Sequence, residues 1–165
     1  MSGVTLETRI TDHGVGQAFT SLIGLMGNTT PIMSAIGTGM VSSTHRRFIS
    51  QTSPDGEAWA SLNTEYKKMK RNARILTESG RLRDSISSQP GRDHVRVGTN
   101  VIYGAIHQFG GTIVPKNASH LVFRLATGVV LAKSVTLRAR PYLGISDDDE
   151  EMIADIVFRF LRRFQ

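Results

Sequence analysis

Residues 146 to 164, SDDDEEMIADIVFRFLRRF, admit one regular structure. Ser146 offers a side-chain oxygen to the free N–H groups of a helix start. Asp147, Asp148, Asp149, Glu150 and Glu151 crowd the positive end of the helix dipole, and Arg159, Arg162 and Arg163 sit at its negative end. Met152, Ile153, Ile156, Val157, Phe160, Leu161 and Phe164 recur every three or four positions, which is a continuous apolar stripe. So continuous a stripe needs cover, so the face carrying Met152, Ile156, Val157, Phe160 and Phe164 is expected to dock into a core. The acidic run could hold a cation, but its place between a cap and an amphipathic stripe explains it as helix capping.

The remaining chain must supply that core. From Asp12 to Met26, Val15, Phe19, Leu22, Ile23 and Met26 share a helical stripe, against the cost of Gly14, Gly16 and Gly24 at roughly 1 kcal/mol each. Thr30 reads as an N-cap with Pro31 at the first helical position, and Ile36, Met40, Thr44 and Phe48 follow at fourfold spacing. Ser53-Pro54-Asp55-Gly56 is a turn. A third stripe, Leu62, Tyr66, Met69, Ala73 and Leu76, predicts a helix with basic outer faces, ended or bent at Gly80. Arg81 to Ser88 reads as a short helix or a strand, and Gln89-Pro90-Gly91 as a turn. His94 to Gly98 alternates as a strand, with Val95 and Val97 inward. Leu121 to Leu125 and Ser134 to Arg140 are further strands, separated by Ala126-Thr127-Gly128; Pro141 ends the second or makes it an edge. The fold class expected is α+β: N-terminal helices, a small mostly antiparallel sheet and a C-terminal amphipathic helix. Residues 1–165 are expected to form one domain, with 1–52 a helical N-terminal part.

Charge separates along the chain. Between Tyr66 and Arg83 lie Lys67, Lys68, Lys70, Arg71, Arg74, Arg81 and Arg83 against the single Glu78, within a net charge of +6. From Ser146 to Gln165 six acids oppose three arginines. That division suits contact between copies or with partners. The basic segment has three readings: a solvated helix face, a protein contact, or contact with phosphates. Tyr66 is its only aromatic, which argues against base stacking.

Little suits catalysis. His13, His45, His94, His107 and His120 form no ligand spacing, there is no cysteine, and neither a nucleophile elbow nor a Gly-rich phosphate loop is present. No enzyme activity, metal or cofactor is expected. The N-terminus lacks the pattern of a signal peptide, and every apolar run falls short of the ~20 residues that cross a bilayer. No membrane partner is expected.

Four segments carry a resemblance: PDGEAW at 54 to 59, SGRLRDSI at 79 to 86, YGAIHQFGG at 103 to 111, and RARPYLGIS at 138 to 146. In this order and spacing the chain, from residue 53 to 165, resembles the virion morphogenesis (tail completion) proteins of Mu-like and related tailed phages. The resemblance implies a minor virion protein in the neck or at the head-proximal end of the tail. It would complete or terminate the tail for joining to the head. Its implied partners are itself, in a ring that is commonly a hexamer, other neck and tail proteins, and DNA passing through the channel non-specifically. The alternatives are a head-completion or connector component on the capsid side, and a basic DNA-binding protein.

Candidate interface residues follow. Lys67, Lys70, Arg71, Arg74, Arg81 and Arg83 supply the basic face. Tyr103, His107, Gln108 and Phe109 belong to the aromatic segment, where Tyr103, Ile106 and Phe109 could anchor on a neighbour or simply pack in the core. Arg138 and Arg140 are expected to point outward from a strand, with Leu137 and Ala139 inward, as bidentate partners for carboxylates on another subunit.

Overall fold

The computed structural model describes residues 4–6 (backbone only), 24 and 28–162. The helix expected over 12–26, and Phe164, lie outside the described residues. In chain order the helices are α1 (Thr30–Ser50), α2 (Thr64–Met69), α3 (Arg81–Asp84), α4 (Gly104–Phe109) and α5 (Asp147–Leu161). The strands are β1 (Val4–Leu6), β2 (Ser87–Pro90), β3 (Val95–Thr99), β4 (Gly111–Ile113), β5 (Leu121–Leu125), β6 (Gly128–Ala132) and β7 (Val135–Leu137). The fold is α+β with antiparallel sheets and a closing helix, as expected.

Helix α1 is covered on two sides. One side lies on a three-stranded sheet of order β1-β3-β2, the other against α5. Its stripe Ile36, Met40, Thr44 and Phe48 is buried as predicted, but Ile32, Met33, Ser43 and Arg47 are buried too. Two glycines permit the sandwich. A Cβ on Gly37 would come within 2.8 Å of Ser88 in β2, and one on Gly39 would collide with the Met152 sulfur of α5. Their helix-propensity cost of roughly 1 kcal/mol each is offset by close packing of both neighbours. Pro31 lies in the first turn, where a missing N–H costs nothing. The cap residue is Thr29, one position earlier than expected; its hydroxyl donates to the Arg92 carbonyl, while Asn28 Oδ1 accepts from Thr30 N at 3.0 Å.

The β2–β3 hairpin pairs Ser88 with Val97 and Pro90 with Val95, and Gly91 N donates to His94 O at 2.7 Å. The reversal therefore falls one residue past the predicted Gln-Pro-Gly, leaving Pro90 on an edge strand, where its missing donor is tolerated. β1 pairs Leu6 with Val97 on the other side of β3, adding a strand to the part expected to be helical.

The structure corrects three expectations between residues 62 and 140. The basic helix is only Thr64–Met69, started by Asn63 Oδ1 on Glu65 N, and it buries no residue. Lys70 itself is extended and ends the helix; Asn72 and Thr77 close a turn, and Ile75 N donates to Gln51 Oε1 at 2.7 Å. Without a surface for its apolar stripe, so short a helix cannot propagate. The segment after Ala126-Thr127 is strand β6, paired with β5 from Gly128 onward, so Gly128 belongs to the hairpin. The strand expected over 134–140 is β7, which ends at Leu137; Ala139 is exposed and Arg140 is buried.

Helix α5 begins as predicted. Ser146 Oγ accepts from Asp149 N at 3.3 Å, and Asp149 Oδ2 accepts from Ser146 N at 3.0 Å. Met152, Ile153, Ile156, Val157 and Phe160 pack against the core, but each is half-buried, and Phe158 is 59% exposed. Asp149 itself is fully buried and pairs with Arg47, also buried, from the last turns of α1. The remaining Arg47 donors reach Tyr142 O at 3.1 Å and Gly144 O at 2.9 Å. Burial pushes the Asp149 carboxyl up, but the Ser43 and Ser146 hydrogen bonds and the Arg47 charge outweigh it and hold it below the usual carboxylate range.

Three outcomes are expected. Phe160→Ala should cost roughly 2 kcal/mol, about half the loss for a fully buried ring, measured by denaturant unfolding. Asp149→Ala should cost about 3–5 kcal/mol, because Arg47 is left charged and buried. Since the folded carboxyl titrates below its unfolded value of about 3.9, the pair's contribution is whole above that value and is lost as pH falls through the depressed one. An acid titration of stability should therefore lose part of its steepness in Asp149→Asn.

Candidate assembly surface

The four segments that carry the family resemblance meet in one place. Trp59 Nε1 donates to Pro141 O at 2.7 Å, and the Phe48 ring sits 5.5 Å from Trp59 and 5.4 Å from Tyr142. Gln108 holds the next stretch: its Nε2 donates to Leu143 O at 2.9 Å, and its Oε1 accepts from Tyr142 N and Leu143 N, both at 3.0 Å. The Tyr142 hydroxyl donates to Gly104 O at 3.1 Å, with its pKa pushed up to about 12 by burial. A Cβ on Gly104 would lie 3.5 Å from Leu82 of the SGRLRDSI segment, and one on Gly144 would meet Pro54. These segments clasp the interior through Trp59, Leu82, Gly104, Gln108 and Tyr142, while Tyr103, Phe109 and Arg138 among them stay exposed.

Two interface candidates are accordingly corrected. Gln108 is 6% exposed and spent on backbone groups of residues 142 and 143. Arg140 is 7% exposed; its guanidinium donates to Ala60 O and Ser61 O, and its own N–H donates to His107 O at 2.7 Å. β7 ends at Leu137, so the alternation that would have turned Arg140 outward is broken. His107 is half-buried, and burial with the Arg140 charge holds its imidazole below the usual range. Its ring lies edge-on to Tyr103 at 5.9 Å.

Part of the basic face is neutralised. Lys70 Nζ lies 2.5 Å from Glu78 Oε2 and 5.8 Å above the Tyr66 ring, and Arg83 Nε lies 2.7 Å from Asp84 Oδ1. The hydrogen bond from Lys70 keeps the Glu78 carboxyl below its ordinary range. Lys67, Arg71, Arg74, Arg81 and Arg138 are exposed. Tyr103 and Phe109 are also exposed, at 41% and 67%.

The sequence reading missed the apolar residues around them. Ile102, Ile113 and Val114 flank α4 and β4, and Val122, Val129 and Leu131 stand on β5 and β6, all among the exposed large hydrophobics. The β-branched pairs at 113–114 and 129–130 could have signalled strands, though nothing local says which face stays uncovered. Acidic side chains gather elsewhere: Asp55, Asp147 and Asp148, with Pro54, Gly56, Ile145 and Ser146, line a cleft of about 400 Å³. Among the described residues no group of three or more His, Asp or Glu is placed to hold a metal ion, and no helix is long and apolar enough to cross a membrane.

Comparison with known proteins names the setting: the family model for the phage virion morphogenesis family matches residues 10–162. The chain belongs to that family. It is also 28% identical over 143 residues to a protein of Escherichia phage Mu named "Putative capsid assembly protein G", covering 82% of this chain and 81% of that protein. No solved structure matches. The protein is thus virion-associated and has its role in assembling a phage particle.

The clasp and the surface should separate on mutation. Gln108→Ala removes the partner of three buried backbone groups and should cost roughly 2–4 kcal/mol. Lys67→Glu with Arg71→Glu should stay within about 0.5 kcal/mol of the parent, since both are exposed. Thermal unfolding of the two variants side by side tests the division.

Proposed function

We propose that the protein occupies the neck or the head-proximal end of the tail, where a ring of copies completes the tail and readies it for the head. Five large apolar side chains exposed within residues 102–114 (Ile102, Tyr103, Phe109, Ile113 and Val114) carry this reading. Monomers seldom leave such a patch open, and a subunit clamped between neighbours covers it. A ring also needs two different faces that fit each other. Here the basic 67–83 segment and the acidic start of α5 are such a pair. Assembly is a function of surfaces.

The capsid side of the neck is the second reading, and the name carried by the phage Mu relative favours it. DNA binding by the basic segment is the third. Pairing of Lys70 with Glu78 and of Arg83 with Asp84 weakens it, because those cations are already neutralised.

Particles assembled without the protein distinguish the three. Tails of abnormal length, or tails with unfinished ends, are the expected result. Tails of normal length beside heads they do not join would favour the capsid side, and salt-sensitive duplex binding by the purified protein would favour DNA. In the same assay, Lys67→Glu, Arg71→Glu and Arg74→Glu together should fold normally yet enter particles in reduced amount, as measured by quantifying the variant in purified virions.

A further inference from the structure

Residues 111–137 behave unlike the rest of the described chain. No residue in this stretch is buried. Among the described residues β4 pairs with β7 and β5 with β6, so the stretch holds two two-stranded ladders outside the three-stranded sheet. Strand β5 lies beside the short helix α2, which buries nothing either. On one face of the tip, Val122 stands opposite Leu131 and Arg124 opposite Val129, and the three apolar members are 64–67% exposed. An isolated two-stranded hairpin is marginal in water, so this face calls for cover.

Charge identifies the cover. From His94 to Ser146 there is no Asp or Glu, whereas the arm carries Lys116, Arg124 and Lys133. Among the described residues none of these three has an ion pair. The opposite charge is concentrated on another part of the same molecule, where Asp55 faces Asp147 and Asp148 across the cleft and Glu150 and Glu151 continue along α5. An apolar face bearing cations fits a cleft rimmed by carboxylates, and one chain carries both surfaces.

We propose that the arm of residues 111–137 reaches a second copy of this chain and lays its Val122–Leu131 face on the acid-rimmed cleft between the 53–56 turn and the start of α5. The contact is heterologous, so repeating it builds a ring or a filament. It rests on the ring proposed above and names its joint: the arm, with the basic 67–83 segment beside it, meets the acidic start of α5.

The natural chain has no cysteine, so a designed pair reports the contact without background. Leu131→Cys and Asp55→Cys are placed in one chain, and mild oxidation is applied both to concentrated purified protein and to assembled particles. A ladder of covalent multimers is expected with both cysteines present, and at most a dimer with either alone. Arg124→Glu with Lys133→Glu should lower the ladder roughly tenfold, since like charges then meet. Adding Asp147→Lys and Asp148→Lys to that chain should restore it. No ladder in either preparation overturns the proposal, as does a ladder unaffected by the reversals. Gold labelling of the same particles keeps the two readings apart. Label at the tail end without a ladder removes the arm contact alone, and a ladder with label elsewhere removes the location alone.

Discussion

The buried pair of Arg47 and Asp149 ties together the parts of this molecule that are farthest apart in sequence. Arg47 sits on the last turns of α1 and Asp149 in the first turn of α5, and both are almost wholly out of water. Such a pair is not a large net source of stability, because desolvating two charges consumes most of what their attraction returns. Its effect is positional. Two more Arg47 hydrogen bonds hold the carbonyls of Tyr142 and Gly144, so one guanidinium sets where the 142–146 strand of chain runs and where α5 begins. Asp149 meanwhile completes the cap on its own helix, so helix start and tertiary contact use the same carboxylate.

Around that pair the family-like segments form a clasp rather than a binding site. Trp59, Gln108, Arg140 and Tyr142 each spend their polar atoms on backbone groups of another segment. Buried polar side chains used this way fix a unique arrangement, because every alternative leaves a donor or acceptor unmet. Residues that look like a signature in the sequence thus include the ones that hold the domain together.

The molecule divides into a closed body and an open margin. The body is α1 between its sheet and α5; the margin is α2 and the ladders of 111–137, whose apolar and basic side chains are exposed among the described residues. For a part of a virion this division is physically sensible.

What could be read from the sequence was what local physics decides. The cap and stripe of α5, the burial of Ile36, Met40, Thr44 and Phe48, the turn at 53–56 and the alternation of β3 depend on neighbours within a few positions. The same stripe logic failed for residues 62–76, because no surface was there to receive Tyr66 and Met69. β6 was missed because Gly128 marks a turn by composition, while pairing with β5 makes it a strand. The roles of Gln108 and Arg140 were beyond reach, since their partners lie 34 to 80 residues away. An amide or guanidinium is polar by composition and belongs to the surface by default; only the fold brings the carbonyls that draw it inside. Sequence alone determined α1, α5, the period of β3, the family and the division of charge. Tertiary structure decided which polar groups are interior and which apolar faces remain open, because both depend on contacts between segments that no local pattern encodes.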